Sequence, residues 1–408
     1  MNAILSLVTA WLASPSAART TEYVNGYWFD GSRFSRRTGY VVGDVLSFRR
    51  PQHVDASVDL NDGYVVPPFA EAHNHNIEPL NNVPKLIATY LEHGIFYVKN
   101  PNNLPRDRQA VAPLLNRPDS IDVLFSNGGW TGRGGHPAEI AKRLIDRRLW
   151  TEADGDCGFY WAADTPADVE RKWVAYIDQK PDFVKTYLLF SDDQQRDTQP
   201  EKYFGWRGLA PEALRAIVGR AHQAHLRVSA HIETAHDFQE ALSAGVDEIN
   251  HLPGFRTSGD VDAHPISDFE LSEVDAALAH RRGVVVVTTL VGATKLDGTR
   301  RAEQDALNSR NLHRLITHGV KVAVGSDSYR EDSLAEALYL ASLHVVSNAT
   351  LLKMWTEATA TAIYPGRKIG RLREGYEASF LVLAGNPLEE FAHVTRIMHR
   401  LKQGRRLP

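Results

Sequence analysis

The 408-residue chain reads as an α/β protein: a TIM-like (β/α)8 barrel carrying a small discontinuous β-sandwich built from both termini. Three observations predict it. The middle of the chain repeats one unit, an amphipathic helix, a glycine and a short apolar strand, which is the pattern of crossover connections in a parallel sheet. Both ends instead read as short strands joined by tight turns. The length suits one large barrel with a small appended layer. An open doubly wound sheet is the competing arrangement, but it calls for a glycine-rich dinucleotide turn after the first strand. Here that strand runs into His73-Asn74-His75.

The elements follow in order. Residues 1–18 are apolar and end in Ser14-Pro15-Ser16-Ala17-Ala18. They are too short for a comfortable bilayer span, and the small residues suit a signal peptidase. No Lys or Arg precedes the apolar run. The expectation is a signal peptide and a periplasmic or secreted protein, or a cytoplasmic one if the segment is not a signal. Residues 19–66 carry Tyr23–Phe29 before the turn Asp30-Gly31, then Tyr40–Val42 and Val45–Phe48 around Gly43-Asp44. Residues 371–408 look alike, with strands at 378–383 and 394–398 and a turn at Gln403-Gly404. These two stretches predict the sandwich, and 67–370 the barrel. Its eight strands are expected at 65–71, 94–99, 121–126, 182–188, 227–232, 247–251, 283–289 and 321–326. Gly94, Gly245 and Gly319 punctuate helix ends just before three of them, where a left-handed residue stops a helix cheaply.

In such a barrel, function gathers at the carboxyl ends of the strands. The first strand delivers His73 and His75. Residues two apart in an extended segment face the same side, so both imidazoles can converge on one ion. The fourth delivers Lys185, the fifth His231, the sixth His251 and the eighth Asp327. Each polar residue closes an apolar run, where burial is costly without a partner. One alone reads equally well as a satisfied core histidine or a helix cap; the whole set, at matching ends, is much harder to dismiss. The third strand opens into a loop, Asn127-Gly128-Gly129-Trp130-Thr131-Gly132-Arg133-Gly134-Gly135-His136. Lys99, Arg133, Tyr187 and Arg330, near strand ends, are candidates to hold a substrate carboxylate.

This arrangement resembles the amidohydrolase superfamily. Gly370-Arg371-Leu372-Arg373-Glu374-Gly375-Tyr376-Glu377-Ala378-Ser379-Phe380 is similar to that family's GxxxxGxxADL return strand, with Ser379-Phe380 in place of Asp-Leu, and Asn386-Pro387-Leu388 continues the match. The resemblance implies a binuclear hydrolase. His73, His75 and Asp327 would hold one divalent ion, His231 and His251 the other, and Lys185 would bridge both as a carbamate. Zn2+ is the expected metal, and Mn2+ or Fe2+ would suit the same set. Asp327 would be the general acid/base. The Gly134-Gly135-His136 segment is similar to the loop of dipeptidase-like members, which makes His136 a candidate to assist the substrate carbonyl. Those members carry Tyr two residues after the fifth-strand His, and here Glu233 stands there as a candidate substrate contact. The implied reaction is cleavage of an amide or similar C–N bond. Three different functions can be built on the same fold: a mononuclear deaminase, a lactonase and a metal-free binding protein. A deaminase usually has a carboxylate where Thr234 stands and lacks the fourth-strand Lys. A metal-free binding protein usually loses ligands that this chain keeps.

The formal net charge of −4 gives no reason to expect nucleic acid as a partner. No segment beyond the N-terminus is long and apolar enough to span a bilayer. The single cysteine, Cys157, cannot form an internal disulfide. The expected partner is a small-molecule substrate; a homo-oligomer is left open.

Overall fold

In the computed structural model, residues 19–255 and 264–408 are described. The expected signal peptide at 1–18 lies outside the described residues. The barrel strands are Phe69–Glu71, Ile95–Asn100, Asp122–Phe125, Val184–Tyr187, Val228–His231, Glu248–Asn250, Val285–Val287 and Lys321–Ala323. Neighbours pair in parallel from the first to the third and from the fourth to the eighth. Two backbone bonds close the ring: Ala72 N–H donates to the Val324 carbonyl (3.0 Å) and Asp182 N–H to the Phe125 carbonyl (2.8 Å). The three punctuating glycines have φ of 74°, 84° and 71°, so each occupies the left-handed region that glycine enters without penalty.

The structure corrects two strands. The expected run 65–71 is two strands. Tyr64–Val66 lies in the terminal sheet, parallel to Thr20–Phe29 and antiparallel to Phe380–Leu383. Phe69–Glu71 opens the barrel. Pro67 and Pro68 between them have no N–H to give a ladder, so the chain changes sheet there. The loop expected after the third strand is partly a strand as well. Asn127 (φ 55°) and Gly128 (φ 91°) turn the chain. Gly129–Thr131 then pairs with the fourth strand and with Tyr160–Ala162. Gly129 is required by a close approach, since a Cβ there would stand 2.5 Å from the Tyr187 ring and 3.1 Å from the Lys185 side chain.

Strands from both termini form one mixed eight-stranded sheet. Trp28, Leu46, Leu60, Val65, Phe380 and Val382 pack as its own apolar core. The main core fills the space between the barrel and its helices, with Ile249, Val286 and Val324 against Leu214, Phe238 and Leu312. No described helix is long and apolar enough to cross a membrane.

The terminal sheet is pinned to the amino-terminal end of the barrel, away from the loops that follow the strands. Lys402 Nζ, fully buried, donates to the Arg117 and Ser120 carbonyls (2.8 and 2.6 Å) and to Asp122 Oδ1 (2.6 Å). Arg367 spans Asp122 and Glu377, both at 2.7 Å.

Candidate metal centre at the barrel mouth

The residues singled out at the strand ends meet in one cavity of about 180 Å³, lined by His73, His75, His136, Lys185, Tyr187, His231 and Asp327 among others. His251 lies directly against it, its ring 4.4 Å from that of His231 and 4.9 Å from that of His73. Donor atoms of His73, His251 and Asp327 all fall within 4.8 Å of one another. Asp327 is central: Oδ1 is 3.5 Å from His73 Nε2 and 3.2 Å from His75 Nε2, and Oδ2 is 3.9 Å from His251 Nδ1.

The electrostatics favour ligands in their coordinating forms. Burial, aided by the charge of Lys185, lowers the His73 imidazole to about 3, so it is neutral and its lone pair is available. Its Nδ1 is buried with no hydrogen-bond partner among the described residues. Burial and the neighbouring His231 put His251 well below its ordinary value. Burial alone would raise Asp327, but hydrogen bonds from His73 and His75 outweigh it and hold the carboxylate ionised. Lys185 is fully buried, and burial lowers its amine to about 7 against the opposing pull of Asp327 and Glu248. Its Nζ donates to Asn250 Oδ1 at 2.5 Å.

Neighbours orient the rings. His231 Nε2 lies 3.1 Å from Glu233 Oε1, which leaves Nδ1 facing His251 Nε2 at 2.8 Å. His251 Nδ1 lies 2.6 Å from the Thr289 hydroxyl. His136 Nδ1 lies 2.6 Å from Glu139 Oε1. Occupying the second nitrogen of an imidazole in this way fixes the ring and its tautomer.

Other expected contacts fall elsewhere. Arg133 points outward, 76% exposed, and pairs with Asp164 at 3.3 Å; it lines a separate surface groove. Glu233 is buried against His231 and does not line the cavity. Lys99 is buried in an ion pair with Glu248 at 2.7 Å. Arg330 is exposed on the loop after Asp327. Tyr187 does line the cavity, its ring 5.2 Å from that of His136. Sequence reasoning missed Glu139, Thr289 and Asn250, and the cavity walls Ile140, Phe159 and Tyr329. Glu139 had a local signal, standing three residues after His136 on the first turn of the helix Ala138–Asp146.

The model of the amidohydrolase family matches residues 182–395, just over half of the chain. Ochratoxinase of Aspergillus niger is 28% identical over 215 residues, covering 48% of this chain and 41% of that protein. The match therefore spans about two fifths of the curated relative. Among solved structures, A. niger ochratoxinase superposes with a TM-score of 0.72 at 17% identity, covering 96% of each chain. An Xaa-Pro dipeptidase with bound methionine gives 0.73 at 17% identity, covering 95% of this chain and 99% of its own. Molinate hydrolase gives 0.70 at 14%, covering 96% and 95%. At these identities the structural likenesses establish a shared fold. The family match contains Lys185, His231, His251 and Asp327, and the barrel brings His73 and His75 from outside it onto the same cavity; the chain belongs to the amidohydrolase family.

Proposed function

We propose that this protein is a metal-dependent hydrolase of amide-type C–N bonds that works with two divalent cations. The observation that carries this reading is the convergence of His73, His251 and Asp327 donor atoms within 4.8 Å, at the mouth of a cavity shared with His75, Lys185 and His231. The residues fit such ions. Imidazole nitrogen and carboxylate oxygen are ordinary zinc donors. The contact between His231 Nδ1 and His251 Nε2, 2.8 Å apart, suits replacement of its proton by a cation.

In this reading His73, His75 and Asp327 hold one ion, and His231 and His251 the other. Lys185 would serve both as a ligand: its neutral amine would add to carbon dioxide and lose one proton, turning a repelling ammonium into an anionic two-oxygen donor. Zinc is the metal we favour, and manganese or iron(II) suit the same donors. When bound, two such ions lower the pKa of a shared water and polarise a substrate carbonyl.

The protein's own groups do the rest. Asp327 accepts the water's proton on a carboxylate oxygen and delivers it to the leaving nitrogen, as general base and then general acid. His136, fixed through Nδ1 by Glu139, presents Nε2 to the oxygen of the scissile group. Glu233 and Thr289 keep His231 and His251 aimed. The deaminase reading loses support at Thr234, whose side chain accepts from Asp237 N–H as the cap of the helix Ala235–Ala244. It is a structural cap where deaminases need a proton carrier.

The test is a hydrolysis screen of the zinc-loaded protein against N-acyl amino acids, dipeptides and lactones, with and without a chelator. Asp327→Asn should lower turnover by ~10²–10⁴-fold on any substrate found. Full activity in that variant, or in the chelated protein, would overturn the assignment.

A further inference from the structure

Asp327, which lines the cavity described above, also lines a second. The second, about 220 Å³, opens on the side of the seventh and eighth strands and is lined by Phe255, Thr289, Val291, Lys295, Leu296 and Ser328, with Asp327 as the residue common to both. We propose that the substrate spans both chambers, with an apolar or aromatic half in the first and a carboxylate-bearing half in the second, held by Lys295. This rests on the hydrolase reading of the same site.

The two chambers differ in character. The first is walled by aromatic and apolar side chains, Ile140, Phe159, Tyr187 and Tyr329. Its one lysine, Lys185, is fully buried and already hydrogen-bonded to Asn250. The second combines apolar walls with Lys295, an exposed cation that has no ion-pair partner among the described residues. Among the described residues Asp327 is the only carboxylate lining it, and that group faces the histidines. An unpaired ammonium beside an apolar wall attracts an organic anion, and a lysine serves as a point charge for it.

The second chamber is built before any ligand arrives. Lys295 closes the short turn Val291–Lys295. That turn is anchored by the buried carboxylate of Glu336, which accepts from Leu290 N–H (2.9 Å) and Val291 N–H (2.6 Å). Thr294 Oγ1 donates to the Val291 carbonyl at 2.7 Å. On the opposite wall Phe255 stacks on the His251 ring, 4.0 Å between centroids and 11° between planes. Thr289 holds the same imidazole from a φ of 66°, while His251 and Asp327 sit at 77° and 46°. Left-handed backbone at a β-branched residue is costly, and strain of this kind collects where a site demands it. The residue the two chambers share, Asp327, is itself a candidate metal ligand. A bond lying across Asp327 has one half of the substrate on each side.

The test uses the full chain loaded with zinc in the presence of bicarbonate. Two probes, N-benzoyl-alanine and N-benzoyl-alaninamide, differ only in the carboxylate. Binding is measured by calorimetry at low salt, and hydrolysis is followed in parallel. The wild type should bind the acid at least about 10-fold more tightly than the amide. Lys295→Met should bring the two together by weakening the acid alone, and Lys295→Arg should restore the difference. Because Lys295 is exposed, these variants are expected to fold. Equal binding of both probes to the wild type, or failure of both to bind, would overturn the inference. So would an acid preference that survives in Lys295→Met. Discrimination in binding without hydrolysis of any substrate would instead overturn the hydrolase reading and leave the Lys295 site standing.

Discussion

One ring nitrogen of His231, His251 and His136 is taken up by a neighbour: Glu233, Thr289 and Glu139 respectively. This arrangement turns flexible imidazoles into aimed ones. It also sets Glu233, expected from the sequence as a substrate contact, beside His231. Glu233→Gln should weaken zinc binding by ~10–100-fold while leaving KM at saturating metal unchanged, read by competition with a zinc chelator and by steady-state kinetics. An altered KM with unchanged zinc affinity would return Glu233 to the substrate. The candidate ligands are legible in the sequence because each is a polar residue closing an apolar strand. Their partners are not. Thr289 and Asn250 stand at strand ends too, but a hydroxyl or an amide there is common and carries no chemistry by itself. Arg133 follows a glycine-rich stretch near a strand end, yet its pairing with Asp164 draws it outward, and that partner lies 31 residues away in the chain.

Elements two hundred and fifty residues apart must hold His73 and Asp327 together. Glu71, the last residue of the first barrel strand, does this from inside. Its carboxylate accepts from His73 N–H (3.0 Å), Ser326 N–H (3.0 Å) and Ser326 Oγ (2.7 Å). The His73 carbonyl accepts from Asp327 N–H at 2.8 Å, and Asn74 Nδ2 donates to Ser326 Oγ at 2.8 Å. Glu71→Ala leaves several buried donors unmatched, each costing ~1–3 kcal/mol. The variant should unfold at lower urea and hold less metal at equal zinc. Unchanged metal content in a destabilised protein would restrict Glu71 to a structural role. The strand–helix alternation is readable from periodicity. The split of the first strand is masked, although Pro67-Pro68 marks it, because the apolar run continues on both sides. The kink after the third strand depends on Gly129 passing close to Tyr187 and Lys185, a contact between different strands that no local pattern encodes.

At the scale of the molecule, the two ends of the barrel do different work. The mouth carries a cluster of buried titratable groups. The opposite end carries the terminal sheet, fixed by Lys402 on Asp122 and by Arg367 between Asp122 and Glu377. Lys402→Met strips a buried carboxylate of a partner and should cost ~3–5 kcal/mol, measured by urea unfolding, with little change in metal content of the folded fraction. A loss of metal at full stability would mean that the sheet reaches the site by another route. The β-rich character of both termini and their union in one sheet are legible from the turn residues. The docking is not, since Lys402 stands among Arg396, Arg400, Arg405 and Arg406, where charge ordinarily faces water, and is fully buried.

The proposed centre at the mouth is a pair of ions with Lys185 as the ligand common to both. Elemental analysis of protein prepared with zinc and bicarbonate, beside Lys185→Ala, tests it directly. About two metals per chain are expected in the wild type, with loss of the pair in the variant. One metal per chain, unaffected by the substitution, would contradict it and point to a mononuclear site without a bridging lysine.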